Sequence, residues 1–104
     1  MATLTDIQFE QHPCGEGFEG QISFENNWAM MVVCGPAVYH REGADLEAKA
    51  SAGEYTTFEY FIIQHMDGAP EPNEENWVGP VSAAQLNTVI AEVEGRAFYE
   101  PYVG

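Results

Sequence analysis

Residues 18–34 have the sequence FEGQISFENNWAMMVVC, and this stretch decides the fold class. Over residues 18–25, apolar side chains alternate with polar or acidic ones, the period of two that predicts a strand with one apolar face. Asn26-Asn27 follows, and asparagine tolerates the positive φ that a tight hairpin turn requires. The run 28–34 is apolar on both faces. It is therefore predicted to be a central strand of a sheet.

Further strands are predicted on both sides of this hairpin. Residues 7–10 show a short alternation, and residues 37–41 are expected to form another short strand. The longest strand candidate is 54–65, where β-branched and aromatic residues dominate. Residues 44–50 have helical propensity but could equally be a flexible loop. Residues 66–80 are expected to be a long connection.

A helix is predicted over about residues 83–94. Ser82 is its expected N-cap, Gln85 completes a capping box, and Gly95 supplies the C-cap. The apolar stripe that faces the sheet consists of Leu86, Val89, Ile90 and Val93. Two acids, Glu92 and Glu94, crowd the negative end of the helix dipole, so either Arg96 or a partner is expected to relieve them.

These elements define an α+β fold in which a small, mostly antiparallel sheet of about four or five strands packs against one C-terminal helix. At 104 residues the chain is expected to be one domain, residues 1–104, because two cores would each be marginal. One helix can cover only one face of the sheet. The other face is expected to carry acidic side chains.

The charge balance is strongly one-sided. Seventeen acidic residues face three basic ones, Arg41, Lys49 and Arg96, for a net charge of −14. A chain of this length usually carries about 13 charges of each sign, so the imbalance is mainly a shortage of cations. Such a chain is repelled by nucleic-acid phosphates and by anionic lipid. We therefore expect no direct nucleic-acid binding, no membrane contact and a cytoplasmic location, since neither an export signal nor a spanning segment is visible.

Metal and nucleophile motifs are not apparent. The candidate ligands are His12, Cys14, Cys34, His40 and His65, and they show none of the close pair spacings typical of zinc sites. No serine lies in a G-x-S-x-G setting, and without an export signal both thiols are expected to be reduced. The glycines of 15–20 match G-x-G-x-x-G but open a strand instead of a helix. We expect no metal, no cofactor and no catalytic residue.

The candidate binding residues are therefore acids and aromatics. Glu19, Glu25, Glu54 and Glu59 are expected to alternate outward from strands, about 7 Å apart at i and i+2, which is close to phosphate spacing in DNA. Asp67, Glu71, Glu74 and Glu75 are expected to form an acidic loop. Trp77, Tyr99 and Tyr102 are candidate aromatic anchors, with ordinary core packing as the alternative.

In size and charge the chain resembles small acidic phage-encoded inhibitors, including DNA-mimic and anti-CRISPR proteins. The resemblance is one of composition and rests on no shared motif. It implies a non-enzymatic inhibitor that occupies the basic nucleic-acid-binding surface of a protein or nucleoprotein complex. The alternative is a structural or accessory protein whose acidity serves solubility, which predicts self-association as a homodimer or a partner insensitive to salt. Adaptation to high salt gives a similar charge profile.

Overall fold

The computed structural model describes residues 2–13, 15–64 and 76–100. Within these residues it contains a five-stranded antiparallel sheet whose spatial order is the order in sequence. The elements are β1 (Gln8–Gln11), β2 (Phe18–Ser23), β3 (Ala29–Cys34), β4 (Thr57–Ile63), β5 (Val78–Ser82) and the helix α1 (Ala83–Glu94). The predicted α+β class, with an antiparallel sheet and one C-terminal helix, is confirmed.

The central hairpin forms as the sequence predicts. β2 pairs with β3 from Phe18 opposite Cys34 to Ser23 opposite Ala29. Asn27 has the expected positive φ of 70° in the turn between them. β3 is the middle strand of the five, and both of its faces are covered, as its continuous apolar sequence indicates.

The helix begins and ends where its capping residues predict. The hydroxyl of Ser82 accepts a hydrogen bond from the Gln85 amide at 3.1 Å, and the Gln85 side chain accepts one from the Ser82 amide at 2.8 Å. Leu86, Ile90 and Val93 are fully buried. They pack on one face of the sheet, called here the first face, against side chains from all of its inner strands: Ile22, Met30, Val32 and Phe58.

The C-terminal end of the helix is tied to the turn of the hairpin. The side-chain amide of Asn26 donates hydrogen bonds to the carbonyls of Val93, Glu94 and Arg96 at 2.9, 3.1 and 3.1 Å. The Gly95 amide donates to Ala91. Carbonyls that a helix end leaves without partners are therefore satisfied by a residue far away in sequence.

The strand predicted over 37–41 is wrong. Residues 35–37 form a 3-10 turn that contains Pro36, and the chain then runs irregularly across the sheet. The amides of Tyr39 and His40 donate to the carboxylate of Glu59 instead of to a neighbouring strand. Residues 44–50 have no regular structure, so of the two alternatives predicted there the loop is confirmed and the helix is wrong.

The strand β5 was not predicted, because residues 78–80 were assigned to the long connection 66–80 and Ser82 to the N-cap of the helix. It pairs with β4 through Thr57 opposite Ser82 and Phe58 opposite Val81, with an irregularity beyond Phe58. Gly79 lies so close to β4 that a Cβ there would meet the Phe58 carbonyl oxygen at 2.9 Å. Residues 65–75 of the predicted connection lie outside the described part of the chain. After the helix, residues 97–100 contain no strand.

The opposite side of the sheet, called here the second face, is covered over only part of its width. Ala29 and Val33 of β3 and Phe61 and Ile63 of β4 are buried there in a second apolar cluster. The segment 37–46 and Trp77 lie over them. No segment among the described residues covers β1 and β2 in this way, and their residues on this side are mostly exposed.

Candidate interaction site

The register of the sheet defines rows of side chains across the second face. One row consists of Glu10, Glu19, Val33 and Glu59, which are successive partners on β1 to β4. The next row consists of Gln8, Gln21, Met31 and Phe61. We call the β1 and β2 members of these rows (Gln8, Glu10, Glu19 and Gln21) the open half. The β3 and β4 side of the second face, under segment 37–46 and Trp77, is the covered half.

Glu59, in the covered half, was expected to point to solvent, and that prediction is wrong. The residue is 1% exposed. Its two carboxylate oxygens accept hydrogen bonds from the amides of Tyr39 and His40, both at 2.8 Å. The Nδ1 atom of the His40 ring lies 2.7 Å from the same carboxylate. A buried carboxylate needs such donors, and here the irregular segment that crosses the face supplies them.

The hydrogen bonds give Glu59 a structural role. Both of its oxygens are engaged by groups of segment 37–46, so the carboxylate holds that segment on the sheet. The His40 side chain is 34% exposed, and its Nδ1 atom faces the carboxylate. This partner fixes the orientation of the ring.

Trp77 also belongs to the covered half. It is 7% exposed and lies with its ring centroid 5.9 Å from that of Phe61 and 5.8 Å from that of Tyr39. Its indole Nε1 is buried and has no hydrogen-bond partner within the described part of the chain. The structure therefore places Trp77 in core packing, the alternative to an aromatic anchor. The exposed aromatic side chain of this region is Tyr39, at 47%, which the sequence did not single out.

The other aromatic candidates lie elsewhere. The Tyr99 ring packs edge-on against Trp28, with 5.9 Å between centroids, and its amide donates to the carbonyl of Asn26. Tyr102 lies outside the described residues. Of the two aromatic candidates that the structure describes, Tyr99 packs against Trp28, whereas Trp77 reaches the border of the open half, where it and Glu19 line the same depression.

The open half presents two glutamates side by side. Glu10 on β1 is directly opposite Glu19 on β2, and both side chains are on the second face. Like charges in this position repel each other. His12 lies nearby, with its Nε2 atom 3.8 Å from a carboxylate oxygen of Glu19. The arrangement concentrates negative potential on a flat, accessible surface.

Two shallow depressions mark this surface, with volumes of about 310 and 250 Å³. The first lies over the open half, and the second lies along its border with the covered half. Both are lined by Glu19 and Met31. The floor thus combines a carboxylate with an apolar side chain, which suits the aliphatic stem and charged head of lysine or arginine.

The remaining predicted acids do not join this surface. Glu25 is exposed in the turn after β2, where it lines a different depression with Glu94 and Phe98. Glu54 is in a short 3-10 helix and its carboxylate accepts from the Ser51 amide. The predicted row of outward strand glutamates is therefore reduced to one of its members, Glu19, joined by Glu10. The acidic loop residues Asp67, Glu71, Glu74 and Glu75 lie outside the described residues.

Each of the three cations is engaged elsewhere. Lys49 contacts Asp45 at 2.6 Å, which lowers the pKa of that carboxyl and raises the pKa of the lysine. Arg96 binds Glu92 through two nitrogens at 2.6 and 2.7 Å, so the pKa of Glu92 is lowered by this hydrogen-bonded partner. The guanidinium of Arg41 donates to the carbonyl of Pro36. None of these contacts involves the open half.

The pair formed by Arg96 and Glu92 answers one question left by the sequence. Acids at the end of the helix are relieved within the chain, since Arg96 binds Glu92 and the amide of Ala2 donates to the Glu94 carboxylate at 3.0 Å. Arg96 also lies over the Trp28 ring, 4.4 Å from its centroid. A partner is not needed at that end of the molecule.

Cys34 is free and buried on the first face. Desolvation by burial raises the pKa of its thiol to about 12, so it is protonated at neutral pH and is a poor nucleophile. Cys14 and His65 lie outside the described residues. Among the residues that the structure describes, no group of three histidine, cysteine or acidic side chains is placed to hold a metal ion.

Comparison with known proteins adds no relative: no family model, curated protein or solved structure matches the chain. Within the described residues, α1 and the shorter helical turns are all too short or too polar to cross a membrane.

Proposed function

We propose that this protein is a non-enzymatic inhibitor that binds and blocks a basic, nucleic-acid-binding surface of a partner protein or nucleoprotein complex. The observation that carries the proposal is the open half of the second face, where Glu10 and Glu19 are direct cross-strand neighbours. The proposed role is the one that phage-encoded DNA-mimic and anti-CRISPR inhibitors perform.

The electrostatics favour an external partner. The repulsion between Glu10 and Glu19 is a cost that the free protein bears, and a lysine or arginine placed between them removes it. The cations of the chain are held by Asp45, Glu92 and Pro36. The compensating charge is therefore expected to come from another molecule. Association should be steered by charge, so it should be fast at low salt and weaken as salt rises.

The test is capture from a lysate of the source organism or its host on the immobilised protein. We expect a basic nucleic-acid-binding protein to be retained at low salt, released by a salt gradient and displaced by excess DNA or RNA. Glu10→Lys/Glu19→Lys should abolish retention. The matched control is Glu42→Lys/Glu47→Lys, which changes the net charge equally at two exposed acids outside the open half and should retain the partner.

Three outcomes would contradict the proposal. If both double variants lose the partner equally, only total charge matters and the open half is not the contact. If nucleic acid does not compete, the partner's nucleic-acid-binding surface is not what is blocked. A partner whose retention is insensitive to salt would favour the structural or accessory role instead.

A further inference from the structure

The two edges of the sheet differ in how well they are protected. The outer strand β5 contains Pro80, which has no backbone N–H to offer, and Gly43 approaches the Pro80 ring. The other outer strand, β1, contains neither proline nor glycine, and three of its four residues are exposed. It is short and carries Glu10, yet no strand of the described residues pairs with its outer backbone edge.

The hydrogen-bond pattern shows which backbone groups point to this edge. The amide of His12 donates to the carbonyl of Gly17, which identifies His12 and Gly17 as a hydrogen-bonded pair just beyond the end of β1. Hydrogen-bonded pairs recur at every second residue of an antiparallel ladder. Gln8 and Glu10 therefore bond to β2, whereas the N–H and C=O groups of Phe9 and Gln11 point away from the sheet.

We infer that β1 receives an extended, basic segment of the partner as an added strand of the sheet. This inference rests on the proposed function and specifies how the contact is made. Main-chain hydrogen bonds to Phe9 and Gln11 would supply affinity, and alternate side chains would supply selectivity. The occupant is chosen by charge complementarity, because its side chains on the second face would lie beside Glu10.

The geometry also specifies the sequence pattern of the added strand. A side chain of the added strand on the second face would lie about 5 Å from its neighbour on β1. A lysine or arginine at that position therefore reaches Glu10 directly, and its long aliphatic stem allows the charged group to reach Glu19. Side chains on the first face lie beside Phe9, which is half-buried. The partner segment therefore alternates basic and apolar residues over about four or five positions.

The probe is the peptide acetyl-Lys-Val-Lys-Val-Lys-Val-Lys-amide, titrated into the full chain at low salt. Two-dimensional amide NMR is expected to show the largest shifts at β1, and the Phe9 and Gln11 amides should exchange about tenfold more slowly at saturation. A peptide of the same sequence with glutamate in place of lysine should not bind.

The deciding variant is Gln11→Pro, which removes one outward N–H and leaves the hydrogen bonds between β1 and β2 intact, because proline is tolerated where an edge N–H faces solvent. Its control is Gln11→Ala, which loses the same side chain. We expect Gln11→Pro to weaken peptide binding about tenfold and Gln11→Ala to bind as the wild type does. Amide spectra of both variants establish that the sheet is intact.

A second measurement covers the case in which Gln11→Pro fails to fold. The peptide is then N-methylated at every second residue, which removes the N–H donors along one edge of the extended peptide. Two isomers are made, one methylated on each edge. Only the isomer that blocks the edge facing β1 should lose affinity. Equal affinity of the isomers, or of Gln11→Pro and Gln11→Ala, would overturn strand addition while leaving salt-sensitive binding to the open half in place. Failure of the proposed function is detected separately, in the lysate capture experiment: excess DNA or RNA would then not displace the retained partner.

Discussion

Glu19 and Glu59 lie in the same row across the second face of the sheet, on either side of Val33. The Glu59 side chain is 1% exposed and accepts hydrogen bonds from segment 37–46, whereas the Glu19 side chain is 36% exposed at the border of an uncovered surface. The residue type is the same and the strand geometry is equivalent. The difference between the two halves comes from the segment that crosses one of them.

The comparison shows that an acidic side chain on a strand has no fixed role. In the covered half, the donors of Tyr39 and His40 satisfy the carboxylate of Glu59, which becomes part of the packing. In the open half, Glu10 and Glu19 face each other and their charge is directed outward. Burial with donors makes a carboxylate structural, whereas exposure leaves its charge directed to solvent, and the proposed partner contact rests on this second case.

The largest expected effect is that of Glu59→Ala. The substitution leaves the part-buried amides of Tyr39 and His40 without their acceptor, so we expect a loss of about 3 kcal/mol in the free energy of unfolding. Urea denaturation followed by circular dichroism measures it. Glu19→Ala, the equivalent change in the open half, should stay within about 0.5 kcal/mol of the wild type. Equal losses at the two positions would erase the distinction between the halves.

A smaller effect is expected for His40→Ala. It removes one of the three donors to Glu59, and water can partly replace a ring that is 34% exposed, so a loss of about 1 kcal/mol is expected. The matched change is Gln8→Ala, at an exposed position of the open half. Thermal denaturation of both variants should show the larger decrease in Tm for His40→Ala. The reverse order would mean that the Glu59 carboxylate does not depend on the ring.

The smallest effect is expected for Glu10→Gln, and its sign is opposite. Removing one member of the repelling pair should stabilise the protein by a few tenths of a kcal/mol at low ionic strength. The gain should vanish in about 1 M salt, where the Debye length is about 3 Å. Glu42→Gln changes the net charge equally at an exposed residue that is not part of the pair and should gain less. Parallel urea titrations at the two salt concentrations test this difference.

The elements with strong local signals were predictable. The helix has the bounds that Ser82, Gln85 and Gly95 indicate, because capping is decided by neighbouring residues. β2 and β3 follow from an alternation and an apolar run on either side of Asn26-Asn27. β5 was missed because Gly79 and Pro80 interrupt its pattern, and only the close approach to β4 explains them.

The site was predictable only in part. Glu59 lies on the same face of β4 as Phe61 and Ile63, which are two and four residues further along the strand. Both of these side chains are apolar, so the sequence already indicated that this face is buried. Around Glu19 the corresponding positions are Gln21 and Ser23, which indicate an exposed one. What the sequence could not indicate is that segment 37–46 supplies the donors, because an irregular segment has no periodicity. That Glu10 lies opposite Glu19 likewise depends on the register between β1 and β2, which the sequence of either strand alone does not specify.

The contact from Asn26 to the last turn of the helix also constrains the order of events during synthesis. The strands of the sheet lie beside their neighbours in sequence, so each can pair soon after it leaves the ribosome. The helix follows all of them, and its end meets a turn 67 to 70 residues earlier in the chain. Until that helix emerges, Met30, Val32 and Phe58 lack the cover that Leu86, Ile90 and Val93 give them. The nascent sheet therefore exposes apolar surface until the segment that forms the helix has been translated.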